Sequence, residues 1–167
     1  KGALASTLVA YNFNQAAAPF ASLGTTPRPA IPNQAPSYST DTPSGKEGDY
    51  SLQFTSGQVA VADDSAEMKM ALNPDDPSFT LQAWVKFPGK PTSRMVFFVN
   101  NGPGGAVSFS VNNDRTVFIT TLGIADVASK AAIPDDGAWH HIAVVHENGK
   151  ELRFYVDGSL GDTVAYT

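Results

Sequence analysis

The chain contains no cysteine, few charges and no long apolar run. Without cysteine, disulfides and thiolate zinc sites are excluded. Charged residues make up 16%, below the usual quarter or so of a soluble domain. The 11 Lys and Arg residues are scattered and net charge is −5. No basic stripe is present to track a phosphate backbone or an anionic bilayer, which argues against nucleic acid and membrane partners. No apolar stretch approaches the roughly 20 residues of a spanning helix. Hydrolytic machinery is equally sparse. Glycoside hydrolysis needs two opposed carboxylates, and strands place such pairs on one face at a spacing of two. None of Glu47, Glu67, Glu147 and Glu151 has an acidic partner at that spacing within a predicted strand. No Gly-x-Ser-x-Gly elbow occurs either.

What the chain does have is turn chemistry and alternation. With 14 Gly and 12 Pro in 167 residues, it suits many short strands in a single domain spanning 1–167. Apolar residues recur with period two at Val9/Tyr11/Phe13, Tyr50/Leu52/Phe54, Phe79–Phe87, Val107–Val111 and Leu152–Val156. That is the pattern of half-buried antiparallel strands. Met95–Val99 and Ile142–Val145 are apolar at successive positions, predicting central strands covered on both sides. Asn148-Gly149 and Asp157-Gly158 tolerate the positive φ of tight hairpins. Asn112-Asn113-Asp114 predicts a third turn, between Val107–Val111 and Thr116–Thr121. About ten strands are expected by this reading, with one or two helical turns at Asp64–Leu72. Five prolines between Phe20 and Asp49 argue against regular ladders there. Ala3-Leu4-Ala5 matches either the small-residue end of a secretory signal or an ordinary linker.

Three stretches taken in order carry a resemblance. They are Gly48-Asp49-Tyr50-Ser51-Leu52-Gln53-Phe54 followed by Val59-Ala60-Val61, then Ser78–Lys86 (SFTLQAWVK), then Gly137–Val145 (GAWHHIAVV) leading into Leu152–Gly158 (LRFYVDG). Together they resemble the laminin G-like, concanavalin A-like lectin family over roughly residues 8–160. The resemblance implies an all-β fold, a two-sheet antiparallel jelly-roll sandwich. It also implies recognition of glycans or proteins by an extracellular, bacterial chain, often with calcium. Family members continue past the Asp157-Gly158 reversal into a strand that returns beside the N-terminal one, and no such segment stands before Thr167. The resemblance therefore implies that another polypeptide completes the sheet beside Leu8–Asn14, or that the Pro-rich loop caps that edge.

Candidate binding residues follow from chemistry. Sugars stack on aromatic rings while a few polar groups fix their hydroxyls. Trp84, Phe98, Phe118 and Tyr155 fall on the face opposite the regular apolar set, where a stacking platform or a covering loop accounts for them. Asn100, Asn101, Asn112, Asn113 and Asp114 are polar loop candidates, or simply turn residues. Calcium prefers clustered oxygens, and acid pairs occur at Asp63-Asp64, Asp75-Asp76 and Asp135-Asp136; adjacent aspartates also serve as turn and cap residues. His140 and His146 share a face but stand about 20 Å apart at ~3.3 Å per strand residue, too far to share a metal. They are read as packing residues.

Overall fold

The structure, a computed structural model, describes residues 9–14, 18–25, 29–32, 36–54, 59–60, 78–102, 105–121, 124–147 and 149–166, with backbone alone at 32, 59–60, 100–102 and 105–106. The regular elements among the described residues are all β-strands, and each ladder is antiparallel. The chain divides into two compact units, Lys1–Met68 and Lys69–Thr167. The helical turns expected at Asp64–Leu72 lie outside the described residues.

In the first unit, β1 (Ile31–Pro32) pairs with β4 (Val59–Ala60), and β2 (Ser37–Ser39) pairs with β3 (Ser51–Gln53). The prolines therefore limit ladders to two or three residues rather than forbidding them. A two-stranded ribbon has outer positions where a missing N–H costs nothing. Residues 9–14 form no strand, contrary to the reading of Leu8–Asn14. Phe13 has φ of 56°, outside the β region, and Ala10 instead accepts the Leu23 N–H at 2.8 Å. Phe13 meets Phe20 edge-on at 5.2 Å, and Phe20 lies 6.2 Å from Tyr38. An aromatic cluster around Phe20, 1% exposed, thus replaces the expected ladder.

The second unit holds the sandwich. Its strands are β5 (Phe79–Val85), β6 (Met95–Gly102), β7 (Gly105–Val111), β8 (Thr116–Thr121), β9 (Ala125–Ala132), β10 (His140–Glu147), β11 (Glu151–Val156) and β12 (Ser159–Ala165). One sheet runs β12-β11-β10-β5 and the other β6-β7-β8-β9. Their inward faces share one core, with Val85, Ile142, Val144, Leu152 and Phe154 from the first and Val107, Phe109, Val111, Val117 and Ile119 from the second. Each of these alternates with an outward residue, as the period-two reading requires.

Local chemistry sets the turns. Asp157 (φ 51°) and Gly158 (φ 77°) both lie in the left-handed region, which is the type I′ geometry joining β11 to β12. Between β7 and β8, the Arg115 N–H bonds the Asn112 carbonyl at 2.9 Å, and Arg115 itself has φ of 69°. Gly161 is needed for a different reason: a Cβ there would stand 2.8 Å from the Ala131 Cβ. This close approach, with Lys130 N–H donating to Asp162 at 3.2 Å, brings β12 against β9 along one side of the sandwich.

Ile142–Val145 is central as expected, since β10 lies between β11 and β5. Met95–Val99 is not. β6 is an edge strand, and Met95, Val96, Phe97 and Val99 are exposed. Its continuous apolarity reflects a bulge between Val96 and Phe98. The bulge interrupts alternation, so Phe97 lies 6.3 Å from Phe109 while Phe98 also packs against the core.

Candidate functional site

The outward face of β5, β10 and β11 gathers the side chains with binding chemistry. Cross-strand register pairs Trp84 with His141, Gln82 with Ala143, and Ala143 with Tyr155. Because Val85, Ile142, Val144 and Phe154 point into the core, Trp84, His141, Ala143 and Tyr155 must point outward. Trp84 is 53% exposed, a large cost for an indole unless something covers it. His141 lies beside it at 5.3 Å between ring centroids, and its Nε2 bonds the Gln82 Oε1 at 3.1 Å. Ala143 is the low floor between Gln82 and Tyr155, 6% exposed.

A clamp around the buried His140 ring, closed by two exposed carboxylates, fixes the His141 end of this face. His140 is turned inward, with Nδ1 2.7 Å from Asp157 and Nε2 2.9 Å from Asp136. The other oxygen of Asp157 accepts the His141 backbone N–H at 2.9 Å. Burial disfavours the charged ring, but bonds to Asp157 and Asp136 outweigh it and raise the His140 pKa. Asp136 is held below its ordinary value by the Ala138 N–H and then by His140. With a carboxylate at each nitrogen, the imidazolium is the form that satisfies both. His140 is thus more than the packing residue expected: it ties the 134–138 loop and the β11–β12 turn to the start of β10.

Farther along the same face, Arg153 bonds Glu147 at 2.9 Å and Glu151 at 2.6 Å, and Lys150 bonds Glu147 at 2.7 Å. Glu147 and Glu151 stand opposite each other in register, a carboxylate pair that neighbour spacing along the sequence does not reveal. Their setting suits structure rather than acid catalysis. Lys150, then Arg153, pull the Glu147 pKa below its ordinary value, whereas a general acid needs its pKa raised.

The other expected residues do not join this face. Phe98 and Phe118 belong to the second sheet. Phe98 packs against the core after the β6 bulge, and Phe118 is 6% exposed with the Arg94 guanidinium 3.7 Å from its ring centroid. Four aromatics on one face was therefore a misreading, because strand parity cannot assign residues to sheets. Asn100 and Asn101 are strand rather than loop residues, paired with Val107 and Ala106. Asn112 accepts from Arg94 at 2.9 Å and donates to Thr116 at 3.1 Å, Asn113 is exposed, and Asp114 accepts the Thr116 N–H at 3.0 Å. These bonds build the β7–β8 turn.

Asp63, Asp64, Asp75 and Asp76 lie outside the described residues. Asp135 is bonded to buried Arg115, and Asp136 to His140. The Arg115 guanidinium would repel a divalent cation and Asp136 is already engaged by the His140 ring, so this pair does not fit calcium as arranged. Among the described residues, no three His, Asp or Glu side chains converge on a metal position. Among those residues, too, no helix is long and apolar enough to cross a membrane.

The sequence pointed to Trp84 and Tyr155 but missed Gln82 and His141. Only the β5–β10 register, which joins segments some sixty residues apart in the chain, puts them beside the indole. A family model described as the concanavalin A-like lectin/glucanases superfamily matches residues 55–167. No curated protein and no solved structure matches the chain.

Proposed function

Because the chain belongs to the concanavalin A-like lectin/glucanase superfamily, we propose that it is a non-catalytic domain of an extracellular bacterial protein that binds a glycan at its Trp84 face. The observation that carries this reading is the exposed indole beside a hydrogen-bonded His141–Gln82 pair. An aromatic ring flanked by oriented polar groups is the combination that holds a sugar: the ring takes the C–H face and the polar groups take the hydroxyls. The neutralised Glu147–Glu151 pair supports recognition without hydrolysis.

A glycan array probed with the pure chain, with calcium and again with chelator, tests the reading. Discrete hits are expected to survive chelation, and Trp84→Ala should weaken them about tenfold or more. No reducing ends should be released. A blank array, or hits indifferent to Trp84→Ala, would overturn the proposal.

A second reading, a protein-assembly module, rests on β6. This edge strand exposes Met95, Val96 and Val99, a template for another chain. Partner capture lost on Val96→Lys but kept in Trp84→Ala would favour it.

A further inference from the structure

We propose that the Trp84 face takes an uncharged, extended polysaccharide chain lying obliquely across β5, β10 and β11, with sugar rings on Trp84 and Tyr155 and one sugar between them. The inference rests on the glycan reading above and adds the length and charge class of the ligand. Trp84 and Tyr155 are separated by two strand spacings and two residues along the strands, about 12 Å for ordinary sheet geometry. That span matches two successive repeats of an extended pyranose chain. Between the two rings the floor drops to the methyl group of Ala143, leaving room for a middle sugar. Gln82 and His141 border that position and are already oriented by their mutual bond. Beyond Tyr155, exposed Leu160 on β12 stands in register with it, so apolar surface extends onto the next strand.

Charge selects the class. Arg153 and Lys150 are the cations on the Tyr155 side of this face, and Glu147 and Glu151 neutralise both. Asp157 at the other end is engaged by His140. On the Tyr155 side an anionic chain would find its counter-ions already paired, on a protein of net charge −5. A neutral chain loses nothing by lying there.

Titration calorimetry with cello-, laminari-, manno- and xylo-oligosaccharides of two to six units, and with oligogalacturonates, tests this. For at least one neutral series, affinity should rise about tenfold between two and three or four units and then level off, the gain expected of one added stacking contact. Tyr155→Ala should erase that step while leaving disaccharide affinity in place, Tyr155→Phe should keep it, and Trp84→Ala should remove binding at every length. Binding through Trp84 without the step, a step that survives Tyr155→Ala, or preference for oligogalacturonates would overturn the inference and leave the glycan reading standing. Array hits on other glycans with none of these linear chains bound would do the same. A folded protein blank on array and calorimeter alike would overturn both.

Discussion

The two faces of the β5–β10–β11 sheet are made by the same strands and follow different rules. Inward, Val85, Ile142, Val144, Leu152 and Phe154 are buried in the shared core, and their places follow from alternation alone. Outward, Trp84, Gln82, His141 and Tyr155 acquire meaning only through register between strands distant in sequence. The inner face stabilises the fold through burial, roughly 1.5–3 kcal/mol for a large apolar side chain. The outer face leaves an indole in water, which the proposed recognition would account for and stability does not. The sharpest way to break this division is to change neighbours on β11. Phe154→Ala should cost about 3–5 kcal/mol as a core deletion, and Tyr155→Ala no more than about 1 kcal/mol. Equal shifts in urea midpoint would put the wrong side of β11 in the core.

The same contrast accounts for what was legible in the sequence. β7 and β11 fall within two residues of their expected bounds because large apolar residues alternate with polar ones, and β8 begins where the Asn112-Asn113-Asp114 turn places it. β9 was missed: Ala125–Ala132 is mostly small residues, and alanine is depleted in strands. β6 was recognised as a strand but misplaced as central. Apolarity at successive positions says that both sides avoid water, whereas edge or centre depends on how many neighbours pair. The Asp157-Gly158 turn was readable because two positive φ values call for those residues. The His140 clamp was not, since it closes only when Asp157, 17 residues on in the β11–β12 turn, folds back onto the ring that Asp136 holds from the other side.

That clamp sits between the two faces and gives the next largest effect. The folded pKa of His140 is raised, so its contribution is complete below the unfolded value of about 6.5 and is lost as pH rises through the folded one. Asp136 and Asp157 are lowered, so their contribution is lost as pH falls below about 4. His140→Gln should therefore destabilise by about 1.5–3 kcal/mol between roughly pH 4.5 and 6, with the gap to wild type narrowing at higher pH. Buried His146, which burial pushes down, acts in the opposite direction: its contribution holds above about pH 6.5 and fades as pH falls through its folded value. It is common to both proteins and cancels in the difference. A gap that widens from pH 6 to 8 in paired denaturation curves would mean that the ring is clamped as the neutral form.

The smallest stability change belongs to Gln82, and it separates the faces most cleanly. Gln82 is exposed and its Oε1 bonds the His141 ring. Removing an exposed hydrogen bond in a sheet whose core is untouched should alter stability by less than about 0.5 kcal/mol. Recognition is a different matter. With Gln82 gone, His141 loses the partner that fixes its ring plane beside Trp84, and any sugar hydroxyl it meets must restrain the imidazole on binding. Gln82→Ala should therefore leave the melting temperature in place and weaken glycan binding by roughly three- to tenfold, one hydrogen bond's net worth. Gln82→Glu supplies the same acceptor oxygen to His141 and should recover part of that loss for a neutral ligand. If Gln82→Ala binds as wild type does, His141 needs no positioning by Gln82 and the hydrogen-bonded pair is not part of the site's polar edge.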